Sequence, residues 1–497
     1  MTAAPHFAFD NSYARLPERF YARQDPDRAP APVLLALNAP LAEALGLDAQ
    51  ALAGPAGVAI LSGAVTPDGA SPLAMAYAGH QFGNFVPQLG DGRAILLGEV
   101  VGPDGARRDV QLKGAGRTPF SRMGDGKAAL GPVLREFLVS EAMHALGVRT
   151  TRALAAVRTG ETVLRDAALP GAILTRIARS HIRVGTFQYF AARKDVEGLR
   201  LLTDHALSRH YPEAADAENP AAALLSAVVA AQARLVASWL SVGFIHGVMN
   251  TDNMSIAGET IDFGPCAFLD AYHSGRVYSA IDEQGRYAFG NQPRVAHWNL
   301  LQLAQALLPL MGADEDAAVA AAQTALDAFT GHYEAAWHDK LAAKIGLPSD
   351  AEAQTLGADL LTVMEGNEAD FTLTFRGLSA LPGAITGAGP ATDDAVRSLF
   401  VDPTAFDAWA IRWRARLADT ASSDAVRQQA MRRINPAIIA RNHMVEQALN
   451  AFHDGDVGPF DALRAALAAP YDDQKAGARA ALPPQPGEEV RRTFCGT

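Results

Sequence analysis

The sequence contains very few cysteines: Cys266 and Cys495 are the only two among 497 residues. Two thiols cannot form a disulfide framework or a four-ligand zinc site. Long apolar runs are also missing, because none reaches the roughly 18 residues needed to cross a bilayer. The most apolar stretch, residues 221–247, is interrupted by Gln232 and Arg234 and is expected to form a buried helix. We therefore expect no membrane partner.

An excess of basic residues is absent as well. Lys and Arg number 43 against 54 Asp and Glu, which gives a net charge of −11. This balance disfavours nucleic acid as the main partner, although a local basic cluster would suffice to bind a nucleotide. The first twenty residues lack the basic and apolar regions of a secretory signal, so we expect a cytoplasmic protein. The length is enough for about three domains.

The sequence lacks a G-x-G-x-x-G motif, but glycine-flanked charges occur twice. LGDGRA contains Gly90, Gly92 and Arg93, and MGDGKA contains Asp125 and Gly126. Glycine allows backbone amides to approach a phosphate closely. Asp-Gly is equally typical of a simple turn. Arg93, directly after the second glycine, favours a phosphate site.

The most informative stretch is His246–Pro265, HGVMNTDNMSIAGETIDFGP. It is similar to two parts of a kinase active site, the catalytic loop and the metal-binding D-F-G, brought close together. His246 and Asn253 have the kinase spacing between the loop histidine and the metal-binding asparagine. The kinase base, expected two residues after the histidine, is replaced by Val248. A carboxylate occurs instead at Asp252.

Asn253 and Asp262 form the candidate metal pair. Mg²⁺ prefers oxygen ligands and takes one or two from the protein, with phosphates and water completing the octahedron. The alternative is a turn-forming Asn and a capping Asp, and the complete spacing favours the metal. Asp252 is the candidate general base. It could equally orient a metal ligand or form an Asx turn.

Basic residues suited to phosphate lie upstream. Lys113 ends a predicted strand and Glu136 lies in the following predicted helix, an arrangement in which a carboxylate aims a lysine at phosphate. Arg176 and Arg183 flank a predicted strand-to-helix boundary, and arginine offers bidentate hydrogen bonds to phosphate. Exposed surface positions are the alternative for all four residues.

The hydrophobic pattern predicts an α+β fold. Residues 94–101 and 107–114 form a predicted β-hairpin around a PDG turn, and residues 171–178 form another strand. Residues 131–147 carry apolar side chains at helical spacing between them. Helices are predicted to dominate after residue 180.

Six segments together closely resemble the selenoprotein O family. The matching segments are YAGHQFGNFVPQLGDGRA, LKGAGRTPFSRMGDGKAAL, REFLVSEAMHALGVRTTRAL, GAILTRIARSHIRVGTFQYF, VGFIHGVMNTDNMSIAGETIDFGPCAFLD and RYAFGNQP. The resemblance implies a protein-kinase-like bilobal fold with family-specific extensions. The implied organisation is an N-terminal extension at 1–75, a small β-rich lobe at 76–179, a large helical lobe at 180–345 and a helical extension with a Cys-containing tail at 346–497.

The resemblance also implies an activity, protein adenylylation. AMP is transferred from ATP to Ser, Thr or Tyr hydroxyls of proteins, pyrophosphate is released, and ATP lies flipped relative to kinases. The implied cofactor is Mg²⁺, with Mn²⁺ as the alternative ion. A kinase that transfers the γ-phosphate and a non-catalytic ATP-binding scaffold are the competing readings.

The resemblance assigns roles residue by residue. Asp252 is implied as the proton acceptor, Glu136 as the partner of Lys113, and Asn253 with Asp262 as metal ligands. The implied nucleotide contacts are Gly90, Gly92, Arg93, Lys113, Asp125, Gly126, Arg176, Arg183 and Asp262. One departure is Lys127, where relatives usually carry Arg. A segment less polar than in relatives follows it.

The two cysteines suggest a redox switch. Cys266 lies close to Asp262 in sequence, and Cys495 stands where animal members carry selenocysteine. A disulfide between them would hold the C-terminal tail over the active site. Two free thiols are the alternative.

Overall fold

The computed structural model describes residues 5–384, 393–474 and 478–494, and it has a mixed architecture of one large sheet and many helices. The strands are β1 (Tyr21–Arg23), β2 (Val33–Leu37), β3 (Leu73–Met75), β4 (Gly79–Gln81), β5 (Asn84–Val86), β6 (Ala94–Val101), β7 (Arg107–Lys113), β8 (Ala128–Ala129), β9 (Arg152–Leu164), β10 (Ala168–Ala178), β11 (Phe244–Ile245) and β12 (Ala267–Phe268).

The helices lie mostly after the sheet, as the sequence predicts. They are α1 (Ala39–Ala44), α2 (Ala49–Ala53), α3 (Pro55–Leu61), α4 (Leu130–Ala145), α5 (Val184–Ala192), α6 (Val196–His210), α7 (Pro220–Ser241), α8 (Gln292–Leu307), α9 (Glu315–Lys344), α10 (Ala351–Gly366), α11 (Phe371–Leu378), α12 (Asp394–Arg397), α13 (Pro403–Ala418), α14 (Asp424–Ile434), α15 (Asn442–His453), α16 (Gly458–Leu467) and α17 (Ala478–Ala481).

The large sheet is antiparallel, with the strand order β1-β3-β6-β7-β10-β9-β2, and β8 also pairs with β10. The predicted hairpin is confirmed as β6 and β7, and the predicted third strand is confirmed within β10. The sequence analysis did not identify β9. Its first half, RALAAV, is rich in alanine, which has a low strand propensity, so the segment carries a weak local signal.

Residues 1–75 contribute three strands to this sheet, because β1 pairs with β3, β3 with β6 and β2 with β9. The Asn38 side chain caps α1, because it accepts a hydrogen bond from the Leu41 backbone N–H at 3.2 Å. The division into four domains stays a prediction.

Helix α4 lies against the sheet, as its apolar spacing predicts. Val133, Leu134, Phe137 and Leu138 are buried and pack in the main core. The helix contacts β9 and β10 on one side and α15 and α16 on the other. It therefore connects the sheet to the C-terminal helices.

Helix α7 is the expected buried helix, and the Asn219 side chain caps its N-terminus. By length and composition it is the one helix in the described ranges that would suffice to cross a membrane. Most of its apolar side chains are buried, and it packs against α8 and α9. This is the environment of a core helix.

A short antiparallel pair, β11 and β12, holds the loops that carry the candidate site. Phe244 lies opposite Phe268, and Ile245 lies opposite Ala267. Both ends of the segment 246–266 are thereby fixed to each other. The candidate metal and base residues lie on the loop between these two ends.

Candidate active site

A cleft opens between the sheet and the 246–266 segment, and it brings together many of the residues predicted from the sequence. Those lining it are Gly92, Arg93, Lys113, Glu136, Arg176, Arg183, Asp252, Asn253 and Asp262. Val248, at the position of the kinase base, lines it too. Strands, a helix and a distant loop therefore converge on one place.

Asp262 is the centre of the arrangement. Its Oδ1 lies 2.9 Å from Lys113 Nζ and 2.7 Å from Arg176 Nη1. Its Oδ2 lies 2.9 Å from Arg183 Nη1 and accepts a hydrogen bond from Asn253 Nδ2 at 3.1 Å. Burial raises the pKa of Asp262, but the three cations outweigh it and hold that pKa well below its ordinary value.

Neighbouring strands place the cations. Lys113 ends β7, Arg176 lies on β10, and the two strands pair with Arg176 opposite Gln111. The Gln111 side-chain oxygen accepts hydrogen bonds from Arg176 at 3.1 and 2.6 Å. The predicted pair of Lys113 and Glu136 is present at 2.6 Å, and Glu136 also lies 3.3 Å from Arg176. One buried carboxylate on α4 thus orients two cations.

Asp252 lies beside this cluster in a different environment. It is 8% exposed, and burial raises its pKa to about 6, although the positive charge of Arg183 and a hydrogen bond from Gln81 oppose the shift. Within the described part of the chain, its Oδ1 has no hydrogen-bond partner. A Cβ on Gly79 would lie only 2.8 Å from this oxygen, so β4 needs a glycine there.

The donors at the cleft suit a divalent cation. The buried Oδ1 of Asn253 has no hydrogen-bond partner among the described residues, and the Nδ2 of the same amide donates to the Asp262 carboxylate. No cluster of three His, Cys, Asp or Glu side chains able to hold a metal occurs in the described ranges. Two protein oxygens completed by phosphate and water are nevertheless the usual magnesium environment. The residues present fit such an ion.

His246 has a structural role in this geometry. Its ring Nε2 hydrogen-bonds to the Ile261 carbonyl oxygen at 2.9 Å, and its backbone N–H donates to the Gln292 side chain at 2.9 Å. Burial lowers its pKa, which favours the neutral ring. His246 therefore fixes the backbone just before Asp262.

Three predicted nucleotide contacts lie outside the cleft lining: Gly90, Asp125 and Gly126. Asp125 forms an ion pair with Arg165 at 2.9 Å. Gly126 has a φ of +72°, and a Cβ there would lie 2.1 Å from a neighbouring backbone oxygen. In this structure these residues shape the loops around the cleft, and their contact with a nucleotide stays a prediction.

Tyr77 and Asp91 also line the cleft, although neither was assigned a role from the sequence. Tyr77 lies under the Arg183 guanidinium, with 4.7 Å from its carbon to the ring centre. Asp91 is buried, accepts a hydrogen bond from Gln111 at 3.2 Å, and has its pKa raised by burial. Both lie in the segment YAGHQFGNFVPQLGDGRA, with Tyr77 at its start and Asp91 within LGDGRA.

The predicted disulfide is not tested by the structure, because Cys495 lies outside the described residues. Cys266 is a free, buried thiol whose Sγ hydrogen-bonds to the Phe263 carbonyl oxygen at 3.3 Å. Burial raises the pKa of Cys266 to about 11. In this arrangement the thiol is protonated at neutral pH and is a weak nucleophile.

Comparison with known proteins decides the family. The family model described as protein adenylyltransferase SelO matches residues 5–468. The chain belongs to the SelO family. It is 63% identical over 494 residues to a protein nucleotidyltransferase YdiU of Methylorubrum extorquens, with 99% of each chain covered. It is 59% identical over 499 residues to that of Rhodopseudomonas palustris, with 100% of each covered. The predicted family is thus confirmed for nearly the whole chain.

Proposed function

We propose that this chain transfers AMP from ATP to the hydroxyl group of a Ser, Thr or Tyr side chain of a protein, with release of pyrophosphate. Membership of the SelO family supports a protein adenylyltransferase. The observation that carries the proposal is the convergence of Lys113, Arg176 and Arg183 on Asp262. Three cations around one carboxylate provide the charge that a polyphosphate needs.

The fold part of the proposal is a kinase-like arrangement of two lobes. The small lobe would be 76–179 and the large lobe 180–345, flanked by the extensions 1–75 and 346–497. The position of the cleft supports it, because sheet residues form one wall and the loop between β11 and β12 forms the other.

ATP would bind with its phosphates at the three cations. Lys113, Arg176 and Arg183 now share the oxygens of Asp262. Phosphate oxygens offer them additional partners, so a bound nucleotide would draw the cations away and free part of the carboxylate. Arg93, at the cleft lining, would add a fourth positive charge, and Gly92 would let the backbone approach closely.

A divalent cation would be held by Asn253 and Asp262, and we propose Mg²⁺ with Mn²⁺ as the alternative. When bound, such an ion neutralises charge that develops on the α-phosphate and on the departing pyrophosphate. The amide oxygen of Asn253 supports this role, because it is buried and unpaired among the described residues, and the Nδ2 of the same amide binds the Asp262 carboxylate.

Asp252 would accept the proton of the acceptor hydroxyl. Asp252 lines the cleft, its Oδ1 has no hydrogen-bond partner among the described residues, and a carboxylate with a pKa of about 6 suits proton transfer near neutral pH. The side chain at the kinase position of the base is apolar, since Val248 stands there. A nucleotide flipped relative to kinases would present its α-phosphorus near Asp252 instead. We place this reaction in the cytoplasm, with ATP and acceptor proteins as the partners.

The test compares the two ends of the nucleotide. ATP labelled at the α- or the γ-phosphorus is incubated with the chain, a protein acceptor and Mg²⁺, and protein-bound label and free pyrophosphate are measured. We expect label from the α-position only, and its loss in Asp262→Ala. Asp216→Ala, an exposed residue before α7, is the matched control and should retain activity.

Each of the other possible labelling results would identify a different function or contradict the role of Asp262. Label from the γ-position alone would identify a kinase. A thermal shift with ATP and Mg²⁺ but no label from either position would identify a scaffold. Persistent α-label in Asp262→Ala would contradict the role of this carboxylate.

A further inference from the structure

Three consecutive carbonyl oxygens follow the D-F-G carboxylate, and side chains from distant parts of the chain bind all three. Arg135 Nε donates to the Gly264 oxygen at 3.1 Å, and Arg135 Nη2 donates to the Cys266 oxygen at 2.6 Å. Between them, the Thr493 hydroxyl donates to the Pro265 oxygen at 2.5 Å. Side chains of α4 and of the C-terminal tail therefore hold the loop in place.

Both donors are themselves fixed. Arg135 is 7% exposed, and its remaining guanidinium nitrogen binds Glu446 on α15 at 2.9 Å. Thr493 is 3% exposed, its backbone N–H donates to the Tyr278 oxygen at 2.7 Å, and its own carbonyl oxygen accepts from Ala280 at 2.9 Å. Each donor therefore has a defined position before it contacts the loop.

The loop needs such support because its backbone is unfavourable at the functional residue. Asp262 has a φ of +66°, in the left-handed region that non-glycine residues rarely occupy. The segment gains a strand partner only at Ala267, where β12 begins. The position of the carboxylate is therefore imposed by contacts from outside the loop.

Helix α4 connects these loop contacts to the cations Lys113 and Arg176. Arg135 holds the loop, and the next residue, Glu136, holds Lys113 and Arg176. Two successive side chains of one helix thus set the distance between the phosphate-binding cations and the Asp262 carboxylate. A small displacement of either partner alters the geometry that the reaction requires.

We propose that Arg135 and Thr493 are positioning residues for nucleotidyl transfer, and that the C-terminal tail acts on the reaction through the Thr493 hydroxyl. The hydroxyl holds the Pro265 carbonyl and, through the loop, the Asp262 carboxylate. This inference rests on the proposed function, in which that carboxylate works at the metal and phosphates.

The experiment uses a matched pair in the full chain. Thr493→Val keeps the shape and removes the donor, whereas Thr493→Ser keeps the donor and removes a methyl group. A lost hydrogen bond of this kind predicts a fall in kcat of about 3- to 10-fold for Thr493→Val. We expect KM for ATP to change less than about 2-fold, because the hydroxyl touches no nucleotide-binding side chain. Thr493→Ser should restore most of the rate.

Three controls make the result decisive. Thr355→Val, on the exposed face of α10, should leave the rate unchanged. Thermal unfolding midpoints should agree among the variants, which separates positioning from stability. Arg135→Met should lower kcat by more than Thr493→Val, because it removes two loop contacts.

Equal rates for Thr493→Val and wild type would overturn the proposal, as would an equal loss in the Val and Ser variants. Failure of the proposed function would look different, because α-label would then be absent in wild type or persist in Asp262→Ala. The two outcomes can therefore be told apart.

Discussion

Lys344, at the end of α9, is a buried lysine whose removal should stabilise the protein. It is 2% exposed, and its Nζ lies 4.4 Å from the ring centre of Phe375 and 5.3 Å from that of Phe371. Burial, with a contribution from Lys340, lowers its pKa from 10.5 to about 7. We predict that Lys344→Met raises the free energy of unfolding.

The size of the expected stabilisation follows from the pKa shift of Lys344. A displacement from 10.5 to about 7 corresponds to roughly 4 to 5 kcal/mol, at about 1.4 kcal/mol per pKa unit. Methionine would lose the cation–π attraction to the two rings and the attraction of a positive charge to the helix C-terminus, together about 1 to 2 kcal/mol. We therefore expect a net gain of roughly 2 to 4 kcal/mol at pH 7.

The lowered pKa of Lys344 also determines how the free energy of unfolding changes with pH. Between about pH 7 and 10.5 the unfolded chain holds a proton on Lys344 that the folded chain has released. The unfolded state thus binds more protons, and wild-type stability at this site rises with pH across that window. The advantage of Lys344→Met should consequently shrink as the pH approaches 10.

Urea unfolding at pH 7 and pH 9.5 provides the assay, with the midpoint and slope fitted for each protein. Lys340→Met, one turn earlier and only partly buried, is the control and should give a smaller gain. A loss of stability in Lys344→Met, or a gain that does not depend on pH, would refute the reasoning.

Two further variants test the cleft itself. Gly79→Ala should lower kcat about 10- to 100-fold with little effect on ATP binding, because the new Cβ would lie 2.8 Å from Asp252 Oδ1 and displace it. The control is Gly131→Ala, where the new Cβ would have no neighbour within 4 Å outside its own stretch of helix. Equal activities of the two variants would contradict the placement of Asp252. Glu136→Gln should lower kcat/KM for ATP about 10- to 100-fold, because Lys113 loses a charged partner at 2.6 Å. Steady-state kinetics on wild type and variant would measure this, and an unchanged kcat/KM would argue against the Lys113–Glu136 pair.

Much of the site was predictable from local sequence patterns. The strand ending at Lys113 and the helix carrying Glu136 were predictable because each has its own periodicity. Asn253 and Asp262 were marked by spacing within one loop. The convergence of all four follows from elements that the sequence identifies.

Other contributions were not predictable because they depend on tertiary contacts. Arg135 reaches the Gly264 oxygen from 129 residues away, and Thr493 reaches the Pro265 oxygen from 228 residues away. Thr493 lies in no pattern that marks function, and Arg135 begins the segment REFLVSEAMHALGVRTTRAL, which marks the family but not this contact. Tyr77 likewise gains its role only from the packing of Arg183 above its ring. Only the folded chain brings these partners together.

The pairing of β2 with β9 has a consequence for synthesis. Val33 lies opposite Arg158, so the two partners are about 125 residues apart in the chain. At about 5 to 20 residues per second, β2 would emerge from the ribosome roughly 6 to 25 seconds before its partner. During this interval a short apolar strand, VLLAL, has no sheet to join. Strand β2 thus joins the sheet only after β9 has been synthesised, and until then its apolar side chains are available to associate with other chains.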